Sequence, residues 1–124
     1  TRIGCWDHAR RKFIEATKGL PAQDQRKASK ADMALGYISK LYAIERELRD
    51  GSDAERYQGR QTRSVPLLAE FKSWLNDNVG KVMKGSLTRK AMEYTLGQWS
   101  YLVGYCQRGA LHISNILVAI TSYN

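Results

Sequence analysis

Apolar side chains recur along this chain at spacings of three and four, the period that places them on one buried helix face. Trp6, Ala9, Phe13, Ala16 and Leu20 form the first stripe, with Arg10, Arg11, Lys12 and Lys18 on other faces. Asp7 is suited to cap the start of this helix, and Gly19 with Pro21 to stop it. A second stripe, Ala34, Tyr37, Ile38, Leu41, Ile44 and Leu48, predicts a helix from about Ala22 or Ala28 to Arg49, ended by Asp50-Gly51. Ser52-Asp53-Ala54-Glu55 has the form of a capping box, in which Ser52 and Glu55 satisfy each other's backbone amides. A third helix should begin there. Pro66 lacks an amide donor and should kink or restart it, after which Leu68, Phe71, Leu75 and Val79 supply a core face.

Gly80 and Gly85 bracket a loop, and Leu87 to Gln107 then reads as one long apolar helix carrying Met92, Leu96, Trp99, Leu102, Val103 and Tyr105. Gly109 is suited to terminate it. Gly97 and Gly104 lie seven residues apart, nearly on one face, which predicts tight packing of another helix against them. The tail from Ala110 to Asn124 fits strand or helix equally by periodicity. The pattern as a whole predicts an all-α fold, a single domain over residues 1–124. It should be an antiparallel bundle of four to five helices with a short strand remnant at the N-terminus.

The 124 residues, 43% of them apolar, suffice for one core and are too few for two. No apolar run approaches the roughly 20 residues of a membrane-spanning helix, and no signal-peptide order marks the first residues. A soluble, cytoplasmic protein with no membrane partner is the expectation. Because it starts at Thr1 rather than methionine, the chain reads as beginning inside a larger protein or after a removed tag. Cys5 and Cys106 are too few for a disulfide framework, so reduced thiols are expected. The formal charge of +8 favours an anionic partner. That charge is uneven: Thr1 to Lys30 holds 8 basic against 3 acidic residues, and Gln61 to Lys90 holds 6 against 2. The two segments would form an electrostatic footprint if they met in space.

The run His8-Ala9-Arg10-Arg11-Lys12 is a compact basic patch at a predicted helix start, where cations oppose the helix dipole. Phosphate contact would account for them, with Arg10, Arg11 and Lys12 as the first candidates and His8 as a weaker one; the plainer alternative is a solvated cationic face. Trp6, Trp74 and Trp99 could stack on bases, but their apolar neighbours place them in the core. Cys5, His8, Cys106 and His112 could together offer four zinc ligands. Their spacing matches no common finger, and Cys106 on an apolar stretch packs as a small buried side chain, so neither a metal site nor a cofactor is expected. No paired carboxylates, Ser/His/Asp set or glycine-rich phosphate loop stands out. The acids from Glu45 to Glu55, among Arg46, Arg49 and Arg56, read as a solvated ion-pair surface.

One resemblance is more specific than these patterns. Gly4-Cys5-Trp6-Asp7-His8-Ala9-Arg10-Arg11-Lys12-Phe13 closely resembles the GCWAHARRKF signature of insertion-sequence-66 transposases. Leu41-Tyr42-Ala43-Ile44-Glu45 resembles that family's LYxIE, Arg63 to Leu68 its RSxPLL, and Trp74-Leu75 its WL pair. Ala91 to Tyr105, with Tyr94, Gln98, Trp99 and Leu102, is similar to its AxxYxLxQWxxLxxY helix. The resemblance implies a DNA transposase whose ribonuclease-H-like core holds two metal ions on Asp, Asp and Glu.

In that family both aspartates precede the signature, and the glutamate follows a motif like LEIDNNxxER. This chain approaches that motif as Leu111-His112-Ile113-Ser114-Asn115 and then leaves it, with Ile116 at the second asparagine and Ala119 near the expected glutamate. The implied identity is therefore the helical insertion of a transposase, with residues 110–124 a degenerate start of the catalytic helix. No catalytic residue is implied within the chain, which would act as a DNA-contacting fragment and not as an enzyme by itself. Two competing expectations are a non-enzymatic interaction module that forms a homodimer and a small zinc protein.

Overall fold

The computed structural model describes residues 5–20 and 29–114, and every regular element among them is helical, in agreement with the all-α expectation. In chain order these are α1 (Trp6–Lys18), α2 (Lys30–Leu48), α3 (Asp53–Gly59), α4 (Val65–Asn78), α5 (Leu87–Gly97) and the short α6 (Trp99–Leu102). The expected N-terminal strand remnant and the tail beyond Ser114 lie outside the described residues.

Side-chain capping sets several of the helix starts. Ser29 and Asp32 form a capping box that begins α2, Asp32 N donating to Ser29 Oγ at 3.1 Å and Ser29 N to Asp32 Oδ2 at 3.0 Å. Ala22 and Ala28, the alternative starts, lie outside the described residues. The expected box at α3 is present, with Ser52 N donating to Glu55 Oε1 at 2.8 Å and Glu55 N to Ser52 Oγ at 3.1 Å.

Contrary to expectation, Asp7 does not cap α1. The cap residue is Cys5, which offers no side-chain bond, and Asp7 lies in the first turn, where its carboxylate accepts from the Tyr42 hydroxyl. Burial of Trp6 sets this earlier start, because its Nε1 donates to Leu102 O at 2.9 Å and its backbone N–H to Ile113 O at 3.3 Å.

Pro66 stands where the expected restart occurs. A π-helical turn, Arg60–Ser64, joins α3 to α4, and Pro66 falls in the first turn of α4. Val65 N–H donates five residues back, to Arg60 O, the wider bonding of a π turn. In the first turn of a helix the missing proline donor costs no intrahelical bond.

The long helix expected over Leu87 to Gln107 is interrupted at Gln98 and ends in a 3₁₀ turn, Val103–Gln107. Nothing packs closely on Gly97 or Gly104, where an added Cβ would have no neighbour within 4 Å. Close approach occurs instead at Gly59, where a Cβ would lie 2.5 Å from Leu48 Cδ2, and at Gly109, where it would overlap the Asp53 backbone. These two glycines let α3 meet the end of α2 and let the C-terminal segment lie on the start of α3.

Contacts at the helix ends fix the topology. Asp7 meets Tyr42 at one end of α1 and α2, while Thr17 and Lys18 line a surface cleft with Asp32 at the other, so the two run antiparallel. Lys30 donates to Asn78 at 2.7 Å and Glu47 pairs with Arg63, which makes α4 antiparallel to α2. Leu87 lies by Gly19 and Lys12 by Tyr94, which makes α5 antiparallel to α1. The result is an up-down-up-down bundle.

An aromatic cluster fills the middle of this bundle. Trp6 stacks on Phe71 with ring centroids 6.0 Å apart and meets Trp99 edge-on at 5.8 Å, while Tyr37 stacks on Phe71 at 4.8 Å. Phe13, Ile38, Leu41, Leu75, Met92 and Leu102 close around it, fully buried.

Candidate nucleic-acid interface

The stripe that buries α1 also decides where its cations point. Trp6, Ala9, Phe13 and Ala16 face the core, so His8, Arg10, Arg11 and Lys12 are all exposed. At about 100° per residue, Arg10 and Lys12 leave the helix on opposite flanks, with Arg11 between them pointing directly outward. Neighbouring helices support both flanks: the Arg10 guanidinium carbon lies 5.6 Å from the Tyr42 ring centre on α2, and Lys12 Nζ lies 4.7 Å from the Tyr94 ring centre on α5. An exposed contact of this kind contributes about 0.5 to 1 kcal/mol, enough to bias where each cation rests. Arg11 and His8 form no ion pair among the described residues. The patch is therefore a convex, outward ridge, open to a partner's backbone.

The dipole argument applies to this patch less than the sequence predicts. Because α1 begins at Trp6, only His8 lies in its first turn, whereas Arg10, Arg11 and Lys12 occupy the second, where the dipole has largely faded. The two basic segments meet only in part. Lys12 reaches α5, but Arg63 lies at the α2–α4 contact, paired with Glu47.

Sequence reasoning missed a second arginine cluster. Arg60 is 2% exposed and Glu45, its partner, 14%. Arg60 Nε donates to Glu45 Oε2 at 3.0 Å and Nη2 to Oε1 at 2.5 Å, a bidentate pair. Nη1 donates to Tyr105 O at 2.9 Å and to Arg108 O at 2.8 Å, and the guanidinium carbon lies 5.1 Å from the Tyr105 ring centre. Gln61 Nε2 donates to Cys106 O at 2.8 Å, and Arg56 Nε to Gly109 O at 2.8 Å. The chain beyond Leu102 leaves the α-helical ladder, so its carbonyls need other partners. Side chains of α3 and the π turn supply them.

Glu45 is thus a partly buried structural group and not part of a solvated ion-pair surface. Arg56 bonds Asp53, but Arg46 and Arg49 carry exposed side chains with no ion pair among the described residues. Tyr42, Arg46 and Arg49 follow the i, i+4, i+7 spacing of one helix face, a signal that was available in the sequence.

The aromatic residues and cysteines are placed as packing groups. Trp6 and Trp99 are buried and cannot stack on bases. Cys5 and Cys106 are buried free thiols, while His8 and His112 are exposed. Burial pushes the Cys106 thiol up to about 11, and burial also raises the Tyr105 and Tyr42 phenols well above their ordinary value. The two-ion site that the resemblance implies finds no donor set here: among the described residues, no three His, Cys, Asp or Glu side chains gather to share an ion. No catalytic step is assigned to them. No helix among the described residues is long and apolar enough to cross a membrane.

Comparison with known proteins agrees with the resemblance. Residues 1–118 match the Transposase IS66 family. The uncharacterized protein y4jD of Sinorhizobium fredii (strain NBRC 101917 / NGR234) is 32% identical over 116 residues, 92% of this chain and 21% of that protein. The uncharacterized protein y4hP of the same organism is 29% identical over 117 residues, 90% of this chain and 21% of its own length. The chain thus spans about a fifth of the length of these curated relatives. No solved structure matches it. With almost its whole length matched, the chain belongs to the Transposase IS66 family.

Proposed function

We propose that this chain is the helical insertion of an IS66 transposase, that its α1 ridge contacts the DNA backbone, and that the metal-binding acids lie elsewhere in the protein. The observation that carries this reading is the meeting of Trp6 N with Ile113 O at 3.3 Å. A domain inserted between core strands must return the chain to where it left, and these two residues close that circuit. Arg10 to Lys12 begin only about 6 to 9 Å along α1 from that junction, at 1.5 Å per residue. DNA held by a core at the junction would pass within reach of their side chains. Residues 110–124 would then lead into the catalytic helix in degenerate form.

Binding of a labelled mixed-sequence duplex, followed by fluorescence anisotropy at low salt, tests the DNA contact. The chain should bind, and Arg10→Ala/Arg11→Ala/Lys12→Ala should bind more weakly, with His8→Ala a smaller change. Equal binding by the triple variant would remove these residues from the interface. A homodimer is the second reading, because Met83 and Leu87, four residues apart before and at the start of α5, are 79% and 50% exposed. Light scattering on an eluting size-exclusion peak separates the two, since the insertion reading expects a monomer and the dimer reading twice its mass.

A further inference from the structure

We infer that the cleft between the end of α2, the start of α3 and the segment Gly109–Ile113 is a second phosphate site, in which Arg46 and Arg49 hold the backbone of the DNA that α1 contacts. The inference rests on the DNA reading above and extends it to a surface that reading does not use. The cleft is lined by Tyr42, Arg46 and Arg49 on one wall and by Arg56, Arg60 and the chain from Gly109 to Ile113 on the other, with Glu45 and Asp53 as its carboxylates.

Charge accounting makes this cleft positive. Glu45 is held by Arg60 and Asp53 by Arg56, so each carboxylate is already neutralised by an arginine whose remaining donors reach backbone carbonyls. Arg46 and Arg49 are the surplus. A guanidinium can bind a phosphodiester bidentately without losing charge at any ordinary pH, so two on one helix face suit a polyanion.

Position supplies the second argument. Tyr42, on the same face of α2, supports Arg10 from α1 and has its hydroxyl held by Asp7. Cations therefore run from the α1 ridge over Tyr42 to Arg46 and Arg49. Ile113, at the far wall, accepts the backbone bond from Trp6. The cleft thus opens at the end of the bundle where the chain enters and leaves, the end that would face a catalytic core. The acidic neighbours Asp50 and Glu55 do not line it.

The test compares four forms of the full chain by anisotropy of the same labelled duplex across a sodium chloride series: the parent, Arg46→Ala/Arg49→Ala, Arg46→Lys/Arg49→Lys and Arg10→Ala/Arg11→Ala/Lys12→Ala. Losing two phosphate contacts should make the slope of log affinity against log salt about 1.8 shallower for the α2 pair. Both α2 side chains are exposed, so its melting temperature should stay at the parent value. Arg46→Lys/Arg49→Lys should keep most of the salt slope, which a loss of fold would not. If the α2 pair retains the parent slope while the α1 triple variant does not, the cleft inference is overturned and the α1 reading stands. If the parent does not bind duplex at low salt, both fall together.

Discussion

Arg60 and Arg11 carry the same guanidinium group in opposite settings. Arg60 is enclosed by Glu45, two carbonyls and the Tyr105 ring, whereas Arg11 points outward with no ion pair among the described residues. A desolvated guanidinium is tolerated only when its donors are met, which makes Arg60 part of the architecture. An exposed guanidinium keeps its water and its long-range field, which leaves Arg11 available to a polyanion. A strongly basic composition is thus divided between cations that hold the bundle together and cations that are open to a partner.

The largest effect expected from this contrast is at Arg60. Arg60→Ala strands the Glu45 carboxylate and frees the carbonyls of Tyr105 and Arg108, which should lower stability by about 3 to 5 kcal/mol in urea unfolding. That is a large share of the roughly 5 to 15 kcal/mol typical of a domain. Arg60→Met/Glu45→Met removes both charges and should recover much of the loss. A destabilisation below about 1 kcal/mol for Arg60→Ala would mean that the pair behaves like a surface contact.

Alkali should act on the same corner. A thiol whose folded value is raised contributes stability that is present below its unfolded value and is lost as pH rises. For Cys106 that window runs from 9.0 to about 11. The parent should weaken through this range, and Cys106→Ala should weaken with a shallower pH slope, measured by urea midpoints. Tyr105 and Tyr42, also raised, add to the parent's slope from their ordinary value of 10.0 upward. Equal slopes in the two proteins would remove Cys106 from the explanation.

A smaller change is expected where α3 begins. Ser52→Ala removes the cap of the helix that leads to Arg56 and Arg60, at about 1 kcal/mol. Backbone bonding to Ser52 holds the Glu55 carboxyl below its usual range, so the intact box contributes above the ordinary carboxylate value and weakens as pH falls through the folded one. Smallest of all, Arg63→Ala breaks an exposed pair with Glu47 and should change the melting temperature little, consistent with about 0 to 1 kcal/mol. A loss as large as that of Arg60→Ala would erase the distinction between the two arginines.

What was legible in the sequence was local or periodic. The stripe through Trp6, Ala9, Phe13 and Ala16 marked the buried face of α1, and with it the exposure of His8 and Arg10 to Lys12. The Ser52–Glu55 box spans four residues and was readable for that reason. Arg60 was not, because its partners Glu45, Tyr105 and Arg108 lie 15, 45 and 48 residues away and no short spacing marks them. The pairing of Gly97 with Gly104 misled because it assumed a continuous helix, whereas the chain turns at Gln98. Close approach occurred at Gly59, against the Leu48 side chain, and at Gly109, against the Asp53 backbone. The α1 ridge was legible as charge, but its aromatic supports, Tyr42 and Tyr94, depend on how three helices pack.

The account depends most on the claim that the α1 cations act on a partner and not on the fold. The salt dependence of duplex binding, for the parent and for Arg10→Ala/Arg11→Ala/Lys12→Ala matched in melting temperature, measures this directly. Loss of three phosphate contacts should make the slope of log affinity against log salt about 2.7 shallower, with the melting temperature unchanged. An unchanged slope, or a melting temperature that falls as it does in Arg60→Ala, would contradict the division of the arginines described above.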